Sequence, residues 1–173
     1  MTQFQKSQFL QLLHEQTKFV NDNQSLNNFD NKKANKLYQY LGLLQDYTFW
    51  ENRENYIQLL DNFIQNKIIF DQFIRQFSHL KISDLKSEKR VEKKLRQIVS
   101  GNFDVKDIEI KYNSESYGFA ALIFNLQDAV DICDPDVSSE ENLKYPNRLI
   151  YGLSEKFLKL EIENYFLPEM RSY

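Results

Sequence analysis

Between Ala34 and Thr48 the residues Ala34, Leu37, Leu41, Leu44 and Thr48 return at alternating steps of three and four. Only an α-helix turns such a spacing into one continuous face, so this stretch is read as a helix with a seam against a neighbour. The same steps recur along the chain, at Phe9, Leu12, Leu13, Phe19 and Val20 and again at Tyr56, Ile57, Leu60, Phe63 and Ile64. They continue at Phe73, Ile74, Phe77 and Leu80. The richest run, from Tyr117 to Ile132, carries Phe119, Ala120, Leu122, Ile123, Leu126, Ala129 and Val130 around much of its circumference. A final helix is expected from Ser154, its N-cap, to Leu167, before Pro168. Four glycines and three prolines in 173 residues are too few for the tight turns of a sandwich or barrel. The expected fold is all-α, a compact bundle of about six to seven helices with Phe119 to Val130 at its centre.

The connections follow from local chemistry. Asn21 to Asn31 is rich in Asn, Asp and Ser, whose side chains compete for backbone hydrogen bonds, and is read as a loop. Asp71 is expected to cap the fourth helix, and Gly101 to end the charged one that follows by taking a positive φ. Asp107 to Tyr112 alternates polar and apolar residues and predicts one short extended segment, a connection or one arm of a small hairpin. There is no internal repeat, low-complexity tract or interdomain linker, so residues 1–173 are expected to be a single helical domain.

Charge narrows the function classes. Twenty-two basic and 25 acidic residues leave a net charge of −3, which argues against non-specific nucleic-acid binding by the chain as a whole. The single Cys133 cannot close an intramolecular disulfide and fits a reducing, cytoplasmic compartment. Glutamines interrupt the first thirteen residues, so no secretion signal is expected there, and no apolar run approaches the roughly 20 residues of a spanning helix. No Gly-rich phosphate loop, dinucleotide fingerprint, zinc-binding H-E-x-x-H or nucleophile elbow occurs. His14 and His79 have no catalytic company in sequence, and Cys133 has no adjacent base. No catalytic residue, metal site or cofactor is therefore expected.

Two charged stretches stand out. Lys81 to Arg96 carries a local charge of +4, but Asp84, Glu88 and Glu92 are interleaved at helical spacing. The expectation is a peripheral, solvated helix whose acids pair with its own lysines, with Val91, Leu95 and Ile98 as its buried stripe. Asp128, Asp131, Asp134, Asp136, Glu140 and Glu141 fall within fourteen residues that hold no Lys or Arg. Asp134, Asp136 and Ser138 begin like a calcium loop, but Ser139 replaces the required Gly and Tyr145 the bidentate Glu. The run reads either as an exposed, solvated acidic loop or as a negative surface for a basic protein partner. Tyr145, Tyr151 and Tyr165 are aromatic anchors of the kind that interface cores use.

Two stretches resemble a known family. Glu54 to Ile68, followed by Phe70-Asp-Gln-Phe-Ile-Arg-Gln-Phe, is similar to the opening helix, short turn and second helix of the self-protective, colicin D type immunity proteins. Leu122 to Phe166 resembles that family again, with an apolar helix running into Asp128, Asp131 and Asp134-Pro135-Asp136, and Tyr151-Gly-Leu-Ser-Glu opening a final helix. The resemblance implies an immunity-like bundle over 51–173, with residues 1–50 as an N-terminal helical extension. It further implies a non-enzymatic protein that blocks the basic active site of a nuclease toxin, using acidic side chains where RNA phosphates would lie. Asp128, Asp131, Asp134, Asp136, Glu140, Glu141 and Tyr145 would then be its partner-binding residues. The other reading is an accessory or adaptor subunit of a larger assembly with no toxin involved.

Overall fold

Two asparagines stand where glycine commonly ends a helix. Asn23 and Asn66 adopt φ of 57° and 55°. In the first case Asn23 and Gln24 donate to the carbonyls of Val20 and Phe19, and in the second Asn66 and Lys67 donate to those of Phe63 and Asn62. These paired bonds satisfy the last carbonyls of a helix through a left-handed residue, and Asn tolerates that conformation better than most. A chain with few glycines can thus still turn sharply.

The computed structural model describes residues 4–101, 104–113, 115–133 and 154–173. Among these, the chain forms six helices and no β-strand: α1 (Lys6–Asn21), α2 (Asn31–Glu51), α3 (Arg53–Ile64), α4 (Phe70–Val99), α5 (Ser116–Asp131) and α6. Helix α6 begins as Glu155–Glu161, passes through a π turn at Ile162–Phe166 and finishes as Leu167–Arg171. The all-α bundle expected from periodicity is what the chain forms. Asp30 caps α2 by accepting from the Lys33 amide at 2.9 Å, and the Ser154 hydroxyl caps α6 by accepting from the Phe157 amide at 3.4 Å.

Four local expectations are corrected. Asp71 lies inside the first turn of α4, where its charge suits the helix dipole; Gln72 instead reaches back, its Oε1 accepting from the Ile69 amide at 3.3 Å. Gly101 has no left-handed φ, and α4 closes on Ser100, whose hydroxyl donates to the Arg96 carbonyl. Pro168 does not end α6. Its missing N–H and its ring forbid a regular turn, and the helix widens so that the Leu167 amide donates to the Ile162 carbonyl five residues back. The fourth helix and the basic helix after it are one continuous element of 30 residues, about 45 Å long at 1.5 Å per residue.

That long helix explains how the bundle is organised. The buried apolar side chains form two clusters. The larger gathers Phe49, Tyr56, Phe63, Phe73, Phe77, the inner face of α5 and the apolar residues of α6. Its rings are closely packed, Phe63 lying on Phe73 with centroids 4.2 Å apart and planes 7° from parallel. The smaller cluster holds Phe9, Leu10, Leu13, Leu37, Tyr40, Leu44, Leu95, Val99 and Ile108. Helix α5 lines only the larger one, whereas α2 and α4 run through both.

On α4 the buried residues are Phe73, Phe77, Asp84, Glu88, Leu95 and Val99. They repeat at eleven residues, Phe73 to Asp84 to Leu95 and Phe77 to Glu88 to Val99, a period that keeps one stripe in line over three turns. The two ends of the stripe are apolar and its middle is acidic. Val91 and Ile98, expected in the stripe, are 43% and 45% exposed. The expected pairing of the acids with the helix's own lysines is not seen among the described residues: Glu92 instead binds Arg96 at 2.6 Å. Asp84 turns inward, accepting from Asn52 Nδ2 at 2.5 Å and from the Tyr56 hydroxyl at 2.7 Å. With two of its three acids buried, the outer face of this helix exposes Lys86, Lys89, Arg90, Lys93 and Lys94.

Helix α1 is fastened to the far end of α4. Arg96 donates to Thr17 Oγ1 at 3.1 Å and to Gln16 Oε1 at 2.8 Å, and His14 Nδ1 donates to the Val99 carbonyl. His14 is therefore structural. Of the alternating segment at 107–112, Asp107 ends a 3₁₀ turn (Val105–Asp107) and 108–112 is an extended connection and not a hairpin arm, with Ile108 buried in the smaller cluster and Ile110 packed beside it.

Candidate partner-binding surface

Asp128 and Asp131 are three residues apart in the last turns of α5, both exposed, on the side away from buried Leu126, Ala129 and Val130. The amphipathic spacing of α5 puts them there: the apolar stripe must face the larger cluster, so the polar positions between its members face out. No basic residue occupies the last turn of α5. Backbone carbonyls at a helix C-terminus already carry partial negative charge, and two carboxylates add to it where a cation would be favoured. The site is thus electrostatically costly in the free protein. One contact relieves it in part: Gln127 donates to Asp131 Oδ1 at 2.5 Å and accepts from Lys81 Nζ at 2.9 Å.

Helix α6 completes the surface. Asn125, Asp128, Ala129 and Asp131 of α5, with Ile132 just beyond its end, share a depression of about 610 Å³ with Glu161, Tyr165 and Phe166 of α6. The π turn forced by Pro168 carries Tyr165 and Phe166, and here Phe166 is buried while Tyr165 is 49% exposed at the rim. Three carboxylates around an aromatic rim suit a lysine or arginine side chain, which can meet a carboxylate and lie over a ring together.

Of the acids and the tyrosine expected to bind a partner, the structure brings Asp128 and Asp131 together, while Asp134, Asp136, Glu140, Glu141 and Tyr145 lie outside the described residues. Glu161 was not among the expected site residues. It stands twenty residues beyond the end of the acidic run, and only the packing of α6 on α5 joins them. Tyr165, noted in sequence as a possible anchor, does reach this surface.

The remaining groups with chemical potential are dispersed. His79 is exposed beside Asn55, Asn62 and Arg75, and Cys133 is half-buried against the larger cluster. Among the described residues no three His, Cys, Asp or Glu side chains converge as metal ligands would. No helix among them is long and apolar enough to cross a membrane. No family model, curated protein or solved structure matches this chain.

Proposed function

We propose that the chain is a non-enzymatic binding protein, an immunity-type inhibitor that covers the basic active site of a nuclease toxin with the acidic end of α5. The observation that carries the reading is the pair Asp128 and Asp131, exposed at a helix C-terminus with no cation in the last turn and opening on a depression rimmed by Tyr165. Like charges held at a negative helix end weaken the free protein, and a cationic partner removes that cost on binding. The same surface works by occupying the site of a polyanionic substrate: carboxylates meet the lysines and arginines that would otherwise hold phosphates. The resemblance of Glu54 to Ile68 and of Leu122 to Phe166 to colicin D type immunity proteins supports the same role.

The direct test is inhibition. Purified protein added to a basic ribonuclease encoded beside it should abolish RNA cleavage at one-to-one stoichiometry, and the Asp128→Asn/Asp131→Asn variant should require a large excess. Unchanged cleavage at saturating protein would leave the acidic surface without this role.

A further inference from the structure

A second concavity lies between α2, α4 and the extended segment that follows α4. It encloses about 320 Å³, at the lower end of the roughly 300–1,000 Å³ typical of small-molecule sites. Leu44, Val91 and Ile110 supply apolar wall, Tyr47 and Thr48 line it from α2, and Glu51, Glu109 and Lys111 belong to its exposed edge.

The group that makes this concavity more than a crevice is Glu88. It lines the cavity from the middle of the buried stripe of α4 and is only 8% exposed, yet among the described residues no donor bonds its carboxylate and no cation pairs with it. Asp84, one turn earlier in the same stripe, has two donors, so the fold supplies partners to a buried acid where it needs them for its own sake. The Glu88 carboxylate oxygens are not sealed off, since no fully buried side-chain oxygen among the described residues lacks a partner; whatever solvates this acid reaches it through the cavity. Burial pushes the Glu88 carboxyl above the usual carboxylate range, reinforced by Glu92 and opposed by Lys89. The edge adds two more carboxylates, and the one cation lining the cavity among the described residues, Lys111, is engaged with Glu51 at 3.3 Å in an exposed pair that a ligand can displace cheaply.

We propose that this concavity is a binding site for an organic cation, an alkyl ammonium or guanidinium group on a short hydrocarbon stem, with Glu88 as its buried anion. The cation meets the Glu88 carboxylate, the stem lies along Leu44, Val91 and Ile110, and Glu51 and Glu109 hold negative potential at the entrance. A metal ion does not fit, because no three ligating side chains converge among the described residues. The site shares no lining residue with the depression at Asp128 and stands or falls independently of the function proposed above.

Calorimetric titration of the full chain at low salt tests this with four cations: 1,4-diaminobutane, agmatine, N-acetyl-lysine amide and N-acetyl-arginine amide, with 1-butanol as the uncharged control. At least one cation should bind with a dissociation constant on the order of 1 mM or tighter, and 1-butanol should not. Binding of the free amines alone identifies a small-molecule ligand, and binding of the blocked amino acids a side chain from a peptide. Glu88→Gln, which keeps the shape and removes the charge, should weaken binding by roughly tenfold or more, the worth of a charge-assisted hydrogen bond in a partly desolvated site. Ile110→Trp, which fills the cavity from its edge and leaves Glu88 in place, should do the same. Failure of all four cations to bind overturns the proposal, as does binding that both variants leave unchanged.

Discussion

The Tyr56 hydroxyl of α3 donates to Asp84 Oδ2 of α4 across 2.7 Å, at the point where the buried stripe of α4 passes from one hydrophobic cluster to the other. Asn52, the single residue separating α2 from α3, donates to the other oxygen of the same carboxylate at 2.5 Å. Helix α3 and the junction between α2 and α3 therefore meet α4 on one acid, and each donor answers the cost of burying it. Burial pushes the Asp84 carboxyl up while the Tyr56 and Asn52 bonds pull it down. Removing one donor exposes the cost. Tyr56→Phe should lower stability by about 1–3 kcal/mol in urea unfolding, and a double-mutant cycle with Asp84→Ala should give a coupling of about 0.5–3 kcal/mol. Additive effects would mean that the bond contributes nothing.

Asp46 on α2 is held by burial at a pKa of about 6, against 3.8 for an ordinary aspartate. A carboxyl raised on folding favours the folded state fully below pH 4, and that contribution is lost as pH climbs toward 6 and beyond. Glu15, lowered chiefly by the hydrogen bond from Lys33, and Asp30, lowered chiefly by the Lys33 amide, act in the opposite sense and lose their contribution as pH falls below about 4. Asp46→Asn mimics the protonated acid. It should raise the melting temperature at pH 7.5 and change it little at pH 4, so thermal melts of both proteins across that window should converge at the acid end.

Arg96 joins α1 to α4 through Gln16 and Thr17, which are 4% and 8% exposed, while its Nε donates to Glu92 at 2.7 Å. Loss of the guanidinium leaves a buried amide oxygen without its donor, so Arg96→Ala should cost about 2 kcal/mol. Arg96→Lys should recover little of it, since one ammonium cannot reproduce a planar fork aimed at three acceptors. Hydrogen exchange should show the loss concentrated in α1. Uniform loss across the chain would contradict a local clamp.

Much of this architecture is legible in the sequence, and the failures have physical reasons. Seams such as Leu37, Leu44 and Phe77 follow helical spacing, and Ser154 carries the chemistry of a cap. Asp84 and Glu88 escape a local reading because acids interleaved with lysines look like a solvated face; their eleven-residue register with Phe73, Phe77, Leu95 and Val99 is the signal that reveals burial. Pro168 reads as a stop because a regular helix cannot hold it, and a π turn can. The acidic surface was only half visible. Asp128 and Asp131 lie in a charge run, but Glu161 reaches them through tertiary packing that no local pattern encodes.

The acidic end of α5 carries the proposed recognition of a cationic partner, and one kinetic measurement addresses it. Association of the chain with its basic nuclease partner should be followed for the wild type and for Asp128→Asn/Asp131→Asn, at 50 mM and 500 mM NaCl, beside a thermal melt of each protein. Surface charges steer encounter more than they hold a complex, so association should slow by roughly tenfold on neutralisation or on added salt, with dissociation changing far less. The melting temperature should hold or rise, because carboxylates at a helix C-terminus weaken the free protein. An association rate indifferent both to the two substitutions and to salt would contradict the claim that this surface recognises a cationic partner.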